Sequence, residues 1–250
     1  MTIKRPDGRK ANETRPIVAQ VGIVPNADGS AMFSYGGTIA IAAVYGPKKM
    51  HPQHMQNPKK GVLRCDYSMM SFSVKDRIRP GPNRRSMEIG KITGWALEPV
   101  VDLSAYPNMV VDVHIHILQA DASTRCAGIN AASMALAQAG LPMKDIVSSI
   151  SIGKLDKELV VDVDKDEEDW VDGEGATDIA LSFTGEGKLS HIQLDGHITS
   201  KQLKEATVMG QEACKEIYEI QKKALKTGEK IESGEAPLGV PQKSQSGGKK

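Results

Sequence analysis

The chain is short of aromatics and cysteines, carries no excess of either charge and has no long apolar run. Each shortage closes off a class of protein. Aromatic residues are 4% of the 250, so a core has to be built from aliphatic side chains and methionine. The three cysteines, Cys65, Cys126 and Cys214, lie far apart and form no CxxC pair. That pattern speaks against a disulfide framework or a zinc site and fits a reducing cytoplasm. The formal net charge is +1. Composition alone therefore does not mark a nucleic-acid binder, and an RNA site has to come from local clustering. No apolar run approaches the ~20 residues of a membrane helix. The polar start MTIKRPDGRKANETRP lacks the apolar stretch of a secretory signal. No HExxH spacing and no GxxxxGK[ST] phosphate loop occur, which removes two common catalytic frameworks. The expectation is a soluble cytoplasmic protein without a membrane partner.

What is present is a self-supporting domain. A chain of this length buries roughly 70–75% of its unfolded surface. Residues 1–16 are polar and basic and read as an extended arm. Residues 17–227 read as the folded domain, and 228–250, rich in Gly, Ser, Pro, Lys and Gln, read as a disordered polar tail. Strands are predicted at Ile17–Ile23, Ala31–Tyr35 and Thr38–Tyr45, with turn signals at Asp28-Gly29 and Gly36-Gly37. Lys48–Gly61 reads as a loop and Val62–Val74 as a strand. A helix is expected over Arg84–Val101 with Asn83 as N-cap, and its Trp95 reads as core. Met109–Leu118 alternates, with Val111, Val113, Ile115 and Ile117 on one face and Asp112, His114 and His116 on the other. A small-residue helix is expected over Ala127–Ala139 and a long helix over Leu203–Leu225. Strand pairs are expected at Ile146–Leu155 with Leu159–Val163, and at Ile179–Phe183 with Leu189–Ile198. Hairpins with intervening helices make an α+β domain, with antiparallel or mixed sheets packed against helices.

Three segments carry chemistry. Between the alternating strand and the small-residue helix lies Gln119-Ala120-Asp121-Ala122-Ser123-Thr124-Arg125. A helix start leaves N–H groups without partners, and the helix dipole adds positive potential there. With two hydroxyls and a guanidinium, Ser123, Thr124 and Arg125 form an anion site of the helix-terminus kind. The same run also reads as an ordinary N-cap with Arg125 in water. The second segment, Lys75–Arg85, holds five cations and one negative charge, Asp76. Arg84 and Arg85 stand against the helix dipole, which points to an external anion such as an RNA phosphate; a solvated basic loop is the alternative. The third segment, Asp162–Asp178, is the most acidic. Its carboxylates suit Mg²⁺ or general-acid work, or are simply solvated. Asp178 directly precedes the apolar run Ile179-Ala180-Leu181 and should be fixed at a strand edge. Trp170, within this segment, reads as a possible substrate contact.

The order RPDGR, KKMHPQHMQNP, VLRCDYSMMSFS, NRRSMEIGKI, ILQADASTRCAGINAAS and an acidic segment ending before a strand resembles the RNase PH family. The likeness runs from about residue 5 to 225. The GPKKMHPQH and RPGPNRR segments bring it nearest to the catalytic ring subunits of archaeal RNA-degrading exosomes. The resemblance implies an RNase PH-type fold and a phosphorolytic 3′→5′ exoribonuclease that releases nucleoside diphosphates and adds RNA tails in reverse. It implies inorganic phosphate as co-substrate on Ser123, Thr124 and Arg125, RNA phosphates on Arg84 and Arg85, and Mg²⁺. It implies catalytic and metal-binding aspartates six apart, here Asp172 and Asp178. The acidic loop is longer than usual, and the family's Glu-Glu-Asp run matches Glu167-Glu168-Asp169, so Asp169 competes with Asp172 as the first carboxylate. The family often has glycine where this chain has Ala122 or Ser123. The implied partners are single-stranded RNA 3′ ends, a paralogous RNase PH-like ring subunit in a hetero-hexamer (a trimer of dimers), and RNA-binding cap proteins. The alternatives are a non-catalytic RNA-binding ring subunit and a stand-alone enzyme trimming tRNA 3′ ends.

Overall fold

The structure, a computed structural model, describes residues 5–170 and 175–234. Two sheets form its frame. The first contains β1 (Ile17–Val21), β2 (Gly29–Tyr35), β3 (Thr38–Lys49), β4 (Val62–Met69), β5 (Met109–Gln119) and β10 (Ile231–Ser233) in the order β10-β1-β2-β3-β5-β4. Only β4 and β5 run parallel; the other neighbours are antiparallel. The second contains β6 (Val147–Leu155), β7 (Glu158–Val161), β8 (Ala176–Thr184) and β9 (Leu189–Asp195) in the order β7-β6-β8-β9, all antiparallel.

Helix α2 (Thr124–Gln138) lies between the sheets, against β2, β3 and β6. Its Ala127, Ile129, Ala131, Ala132, Met134 and Ala135 are all fully buried. A helix enclosed on all sides has no polar stripe, and small residues let both sheets come close. Helix α1 (Arg84–Leu97) covers β4. A Cβ at Gly90 would sit 2.8 Å from the Cys65 carbonyl, so only glycine permits this approach of helix to strand. Helix α4 (Ser200–Thr227) packs on the other side of β6. Every residue of β6 is therefore buried. A short helix, α3 (Lys165–Glu168), follows β7.

The α+β expectation holds, as does the alternation in β5: Val111, Val113, Ile115 and Ile117 are at most 1% exposed. Several boundaries differ. Strand β3 continues to Lys49, past an irregularity at Tyr45, because Lys48 and Lys49 pair with Val110 and Met109. Strand β4 ends at Met69, where its parallel pairing with Ile117 ends. Helix α1 stops at Leu97, with Glu98 as a C-cap still in helical conformation; Pro99 follows and has no N–H with which to extend the ladder. Helix α2 begins at Thr124, so Thr124 and Arg125 belong to its first turn. Trp95 is not core: it is 58% exposed, with Lys91 Nζ 4.9 Å from its ring. The segment from 228, expected to be a disordered tail, starts otherwise: Gly228 caps α4, and Ile231–Ser233 form β10, which pairs with β1.

The N-terminal segment is built into the fold. Arg5 and Glu167 form a two-pronged buried ion pair at 2.6 and 2.8 Å, and Arg5 also donates to the Val161 and Asp162 carbonyls. Arg15 grips Asp162 in the same way at 2.9 and 2.7 Å. Arg9 adds contacts to Asp162 and Asp164. The acidic segment thus starts as a scaffold for the arm rather than as a solvated loop.

Candidate active site

Five elements converge on one cleft of about 620 Å³. The first turn of α1 supplies Arg85, and the first turn of α2 supplies Arg125. Helix α3 supplies Glu168, and β8 and β9 supply Asp178 and Asp195. Strand alternation explains the last two. Ile179 and Leu181 pair with Leu194 and Ile192 on one face of the sheet, while Asp178 pairs with Asp195 and Ala180 with Gln193 on the other.

The start of α2 has an unusual backbone. Ala122 and Ser123 both adopt left-handed angles, with φ of 53° and 52°, a region that non-glycine residues occupy at a cost. The change from left-handed Ser123 to helical Thr124 turns successive N–H groups toward one side, a geometry that favours anions. Ala127 is the first residue to donate back, to the Ser123 carbonyl. The N–H groups of Thr124, Arg125 and Cys126 precede it and have no partner within the helix. Ser123 occupies the N-cap position without a capping side-chain bond. Its hydroxyl lies 2.7 Å from the Ser151 hydroxyl and donates to the Val163 carbonyl at 2.9 Å. Ser123 therefore offers an anion its backbone rather than its side chain. Thr124 is buried.

Arg125 Nε is enclosed with no hydrogen-bond partner among the described residues, and so is Asp178 Oδ1. Enclosed polar atoms without partners cost roughly 1–3 kcal/mol each. Two in one cleft mark a place shaped for a polar ligand. Burial pushes the Asp178 carboxyl up to about 6; Arg125 opposes that rise, Glu168 and Asp195 add to it, and Arg85 opposes it weakly. His191, on the same face of β9, is lowered by burial and by Arg125. Gln193 donates to Glu88 at 2.9 Å along the cleft wall.

The sequence-predicted residues divide. Arg85, Arg125 and Asp178 come together in the cleft; Ser123 and Thr124 stand at its α2 edge. Arg84 is exposed and is not among the residues lining the cleft. Asp169 turns outward, 65% exposed, and pairs with Lys165 at 2.8 Å. Asp172 lies outside the described residues. Trp170 packs half-buried against Leu155, Val160 and Val163. Sequence reasoning passed over Asp195, Gln193 and Glu88 and did not single out Glu168 from its acidic run. The alternation His191-Ile192-Gln193-Leu194-Asp195 was the available signal for the β9 residues. Their meeting with Asp178 depends on strand register, which the alternation does not supply.

A cleft with arginines at two helix starts and a buried carboxyl whose pKa is raised to about 6 has the donors to hold an anionic ester and a group able to give up a proton. The model of the 3′ exoribonuclease family, domain 1, matches residues 13–142, and that of domain 2 matches residues 145–213. The chain belongs to the 3′ exoribonuclease family typified by RNase PH. It is 46% identical to the exosome complex component Rrp41 of Thermococcus kodakarensis, over 89% of this chain and 88% of that protein. The same component of Methanopyrus kandleri is 45% identical over 89% of this chain and 92% of its own. Among solved structures, rice (Oryza sativa) Rrp46 superposes with a TM-score of 0.77 at 26% identity, covering 88% of this chain and 100% of that one. A chain of the Archaeoglobus fulgidus exosome with RNA bound to the active site gives 0.75 at 22% identity, covering 86% and 92%. At that identity the likeness speaks for the fold.

Proposed function

We propose that the chain is the catalytic ring subunit of an archaeal-type RNA exosome, a phosphate-dependent 3′→5′ exoribonuclease acting in the cytoplasm. The observation that carries this reading is the gathering of Arg85, Arg125 and Asp178 in one cleft, with Arg125 Nε and Asp178 Oδ1 both lacking partners among the described residues. Inorganic phosphate sits at the start of α2, held by backbone N–H groups of the Ser123–Arg125 turn and by the Arg125 guanidinium. Arg85 holds the phosphodiester to be cut, and Arg84 meets the RNA backbone further out. A phosphate oxygen attacks the terminal phosphorus, and the bond from phosphorus to the 3′-oxygen of the penultimate nucleotide breaks. The Asp178 carboxyl, protonated in the mildly acidic range, gives its proton to that oxygen. The two arginines stabilise charge on the transition state. The products are a nucleoside diphosphate and an RNA one nucleotide shorter; with diphosphates in excess the site extends RNA instead.

The carboxylate oxygens of Asp178, with Glu168 and Asp195 on the same walls, are donors of the kind Mg²⁺ prefers. In its deprotonated form Asp178, with Asp172, would be the ligand pair, and a bound Mg²⁺ would neutralise phosphate charge; holding the metal and donating the proton are alternative states of the same carboxyl. The proposed partners are RNA 3′ ends, a paralogous RNase PH-like subunit completing a hexameric ring, and RNA-binding cap proteins. A scaffold subunit without activity would have no use for an enclosed Arg125 Nε and Asp178 Oδ1 that both lack partners among the described residues.

The test uses the chain assembled with its ring partner and an RNA with an unpaired 3′ end. Nucleoside diphosphates should appear only when phosphate is added. Release of monophosphates without phosphate overturns the proposal. Arg125→Ala should lower turnover on the order of 100-fold or more, as loss of a transition-state donor does, while RNA affinity falls far less.

A further inference from the structure

The loop between β4 and α1 carries a feature that the cleft does not use. Phe72 is 72% exposed, the most exposed large apolar side chain among the described residues. Leaving a Phe side chain in water forgoes the favourable burial of its ring, and in a chain with only three phenylalanines the position stands out. Its backbone is firmly held. Ser73 N donates to the Met70 carbonyl at 2.9 Å, Ile78 N to the Ser71 carbonyl at 3.1 Å, and Ala120 N to the Ser73 carbonyl at 2.9 Å. The ring is thus presented to solvent by a fixed turn.

Its neighbours are charged rather than apolar. Lys75, Asp76, Arg77 and Arg79 are exposed. Phe72 stands between two depressions. One, of about 750 Å³, runs to Asp121 and Lys165; the other, of about 380 Å³, is bordered by Lys75 and Arg77. An aromatic among cations suits single-stranded nucleic acid, where bases stack on the ring and phosphates meet the cations. An apolar protein contact would instead call for a continuous apolar patch, and here Val74, half-buried, is the only apolar neighbour lining the smaller depression. The position is also continuous with the cleft. Ser73 is bonded to Ala120, at the head of the turn that carries Arg125, and the loop itself leads into Arg85.

We propose that Phe72 is a base-stacking contact for RNA outside the cleft, with Lys75 and Arg77 holding adjacent phosphates, an inference that rests on the exoribonuclease reading. A nucleotide upstream of the scissile bond lies on the ring, so the contact governs how firmly longer RNAs are held rather than the bond-breaking step.

The experiment measures binding of a fluorescein-labelled oligoadenylate to the full chain assembled with its ring partner, for Phe72, Phe72→Ala, Phe72→Leu and Phe72→Trp. Loss of one stacked base weakens binding roughly 5- to 100-fold. Ala and Leu should both show that loss and Trp should restore affinity, because Leu keeps apolar area but has no π-face. If Ala, Leu and wild type bind alike, the proposal is overturned. It is also overturned if the variants fail to assemble while the assembled fraction binds RNA normally, since Phe72 then contacts protein. If the wild-type assembly binds RNA but releases no diphosphates with phosphate, the reaction assigned above fails while the stacking comparison still stands or falls on its own.

Discussion

Asp178 combines a place inside β8, paired with Gly153 and Asp195 rather than at the strand edge the sequence suggested, with an enclosed Oδ1 and two neighbouring carboxylates, and these together set its proton affinity. With its pKa raised to about 6 from 3.8, the folded state holds a proton over a range where the unfolded chain has released it. The sign follows: the fold loses stability as pH rises from about 4 to about 6, and the full penalty is present above that. A difference of about two units corresponds to about 3 kcal/mol at 1.36 kcal/mol per unit. In protein freed of metal and RNA, Asp178→Asn should therefore be more stable than the parent at pH 7, and the gap should close as pH falls to about 4. Denaturant melts across that range check it; a gap that does not vary with pH rules out the assigned proton affinity. The same scale shows what a sequence read on its own conceals. Arg125 was legible because a cation in a small-residue turn before a helix has a physical reason to bind anions. The inward bonding of the Ser123 hydroxyl was not, because its partners, Ser151 in β6 and Val163 just past β7, lie 28 and 40 residues further along.

At the scale of elements, the acidic segment has two functions that the composition merges. Its first half pairs with the arm: Asp162 with Arg15 and Glu167 with Arg5. Its second half reaches the cleft through Glu168 and Asp178. The strong periodic elements could be read directly, since β5 alternates and α4 repeats at helical spacing, and both depend on local pattern. The arm could not, because an arginine pairs with a carboxylate 162 residues away only once the fold exists. Trp95 misled for a related reason: helical spacing assigns it to an apolar stripe, but β4 covers only part of α1. The arm's role yields a test. Arg5→Ala removes the nearest partner of the fully buried Glu167 and leaves Arg9, at 3.6 Å, as its remaining cation, a change that costs about 3 kcal/mol, the low end for breaking a buried pair. Lys10→Ala, on the exposed side of the same segment, should stay within about 0.5 kcal/mol. Because Glu167 anchors α3, Arg5→Ala should also release Glu168 from the cleft wall, visible as faster amide exchange over 162–169. Equal melting temperatures for the two variants would show that the arm is not structural.

At the scale of the whole molecule, the two family models meet near residue 143, yet no seam divides the core. A single buried cluster runs from Ile17 and Phe33 through α2 to Ile150, Leu181 and Ile217. At its centre, fully buried Asn130 ties three elements to α2. Its Nδ2 donates to the Tyr35 hydroxyl at 2.8 Å and to the Ser149 carbonyl at 2.9 Å, and its Oδ1 accepts from Ser149 N at 2.7 Å and from Gln221 Nε2 at 3.2 Å. All four bonding positions of the amide are used, and its partners come from both sheets and from α4. The cleft needs this union, since Arg85 and Arg125 lie in the first matched region and Asp178 in the second. The two regions should therefore unfold in one transition, with calorimetric and van't Hoff enthalpies equal. Asn130→Ala strands several enclosed groups at roughly 1–3 kcal/mol each and should lower the melting temperature by about 10 °C, at 2–4 °C per kcal/mol for a chain of this size. The peak should move without splitting. Two separated peaks, in the parent or the variant, would mean that the regions fold independently and that the cleft is a docked interface rather than part of a common core.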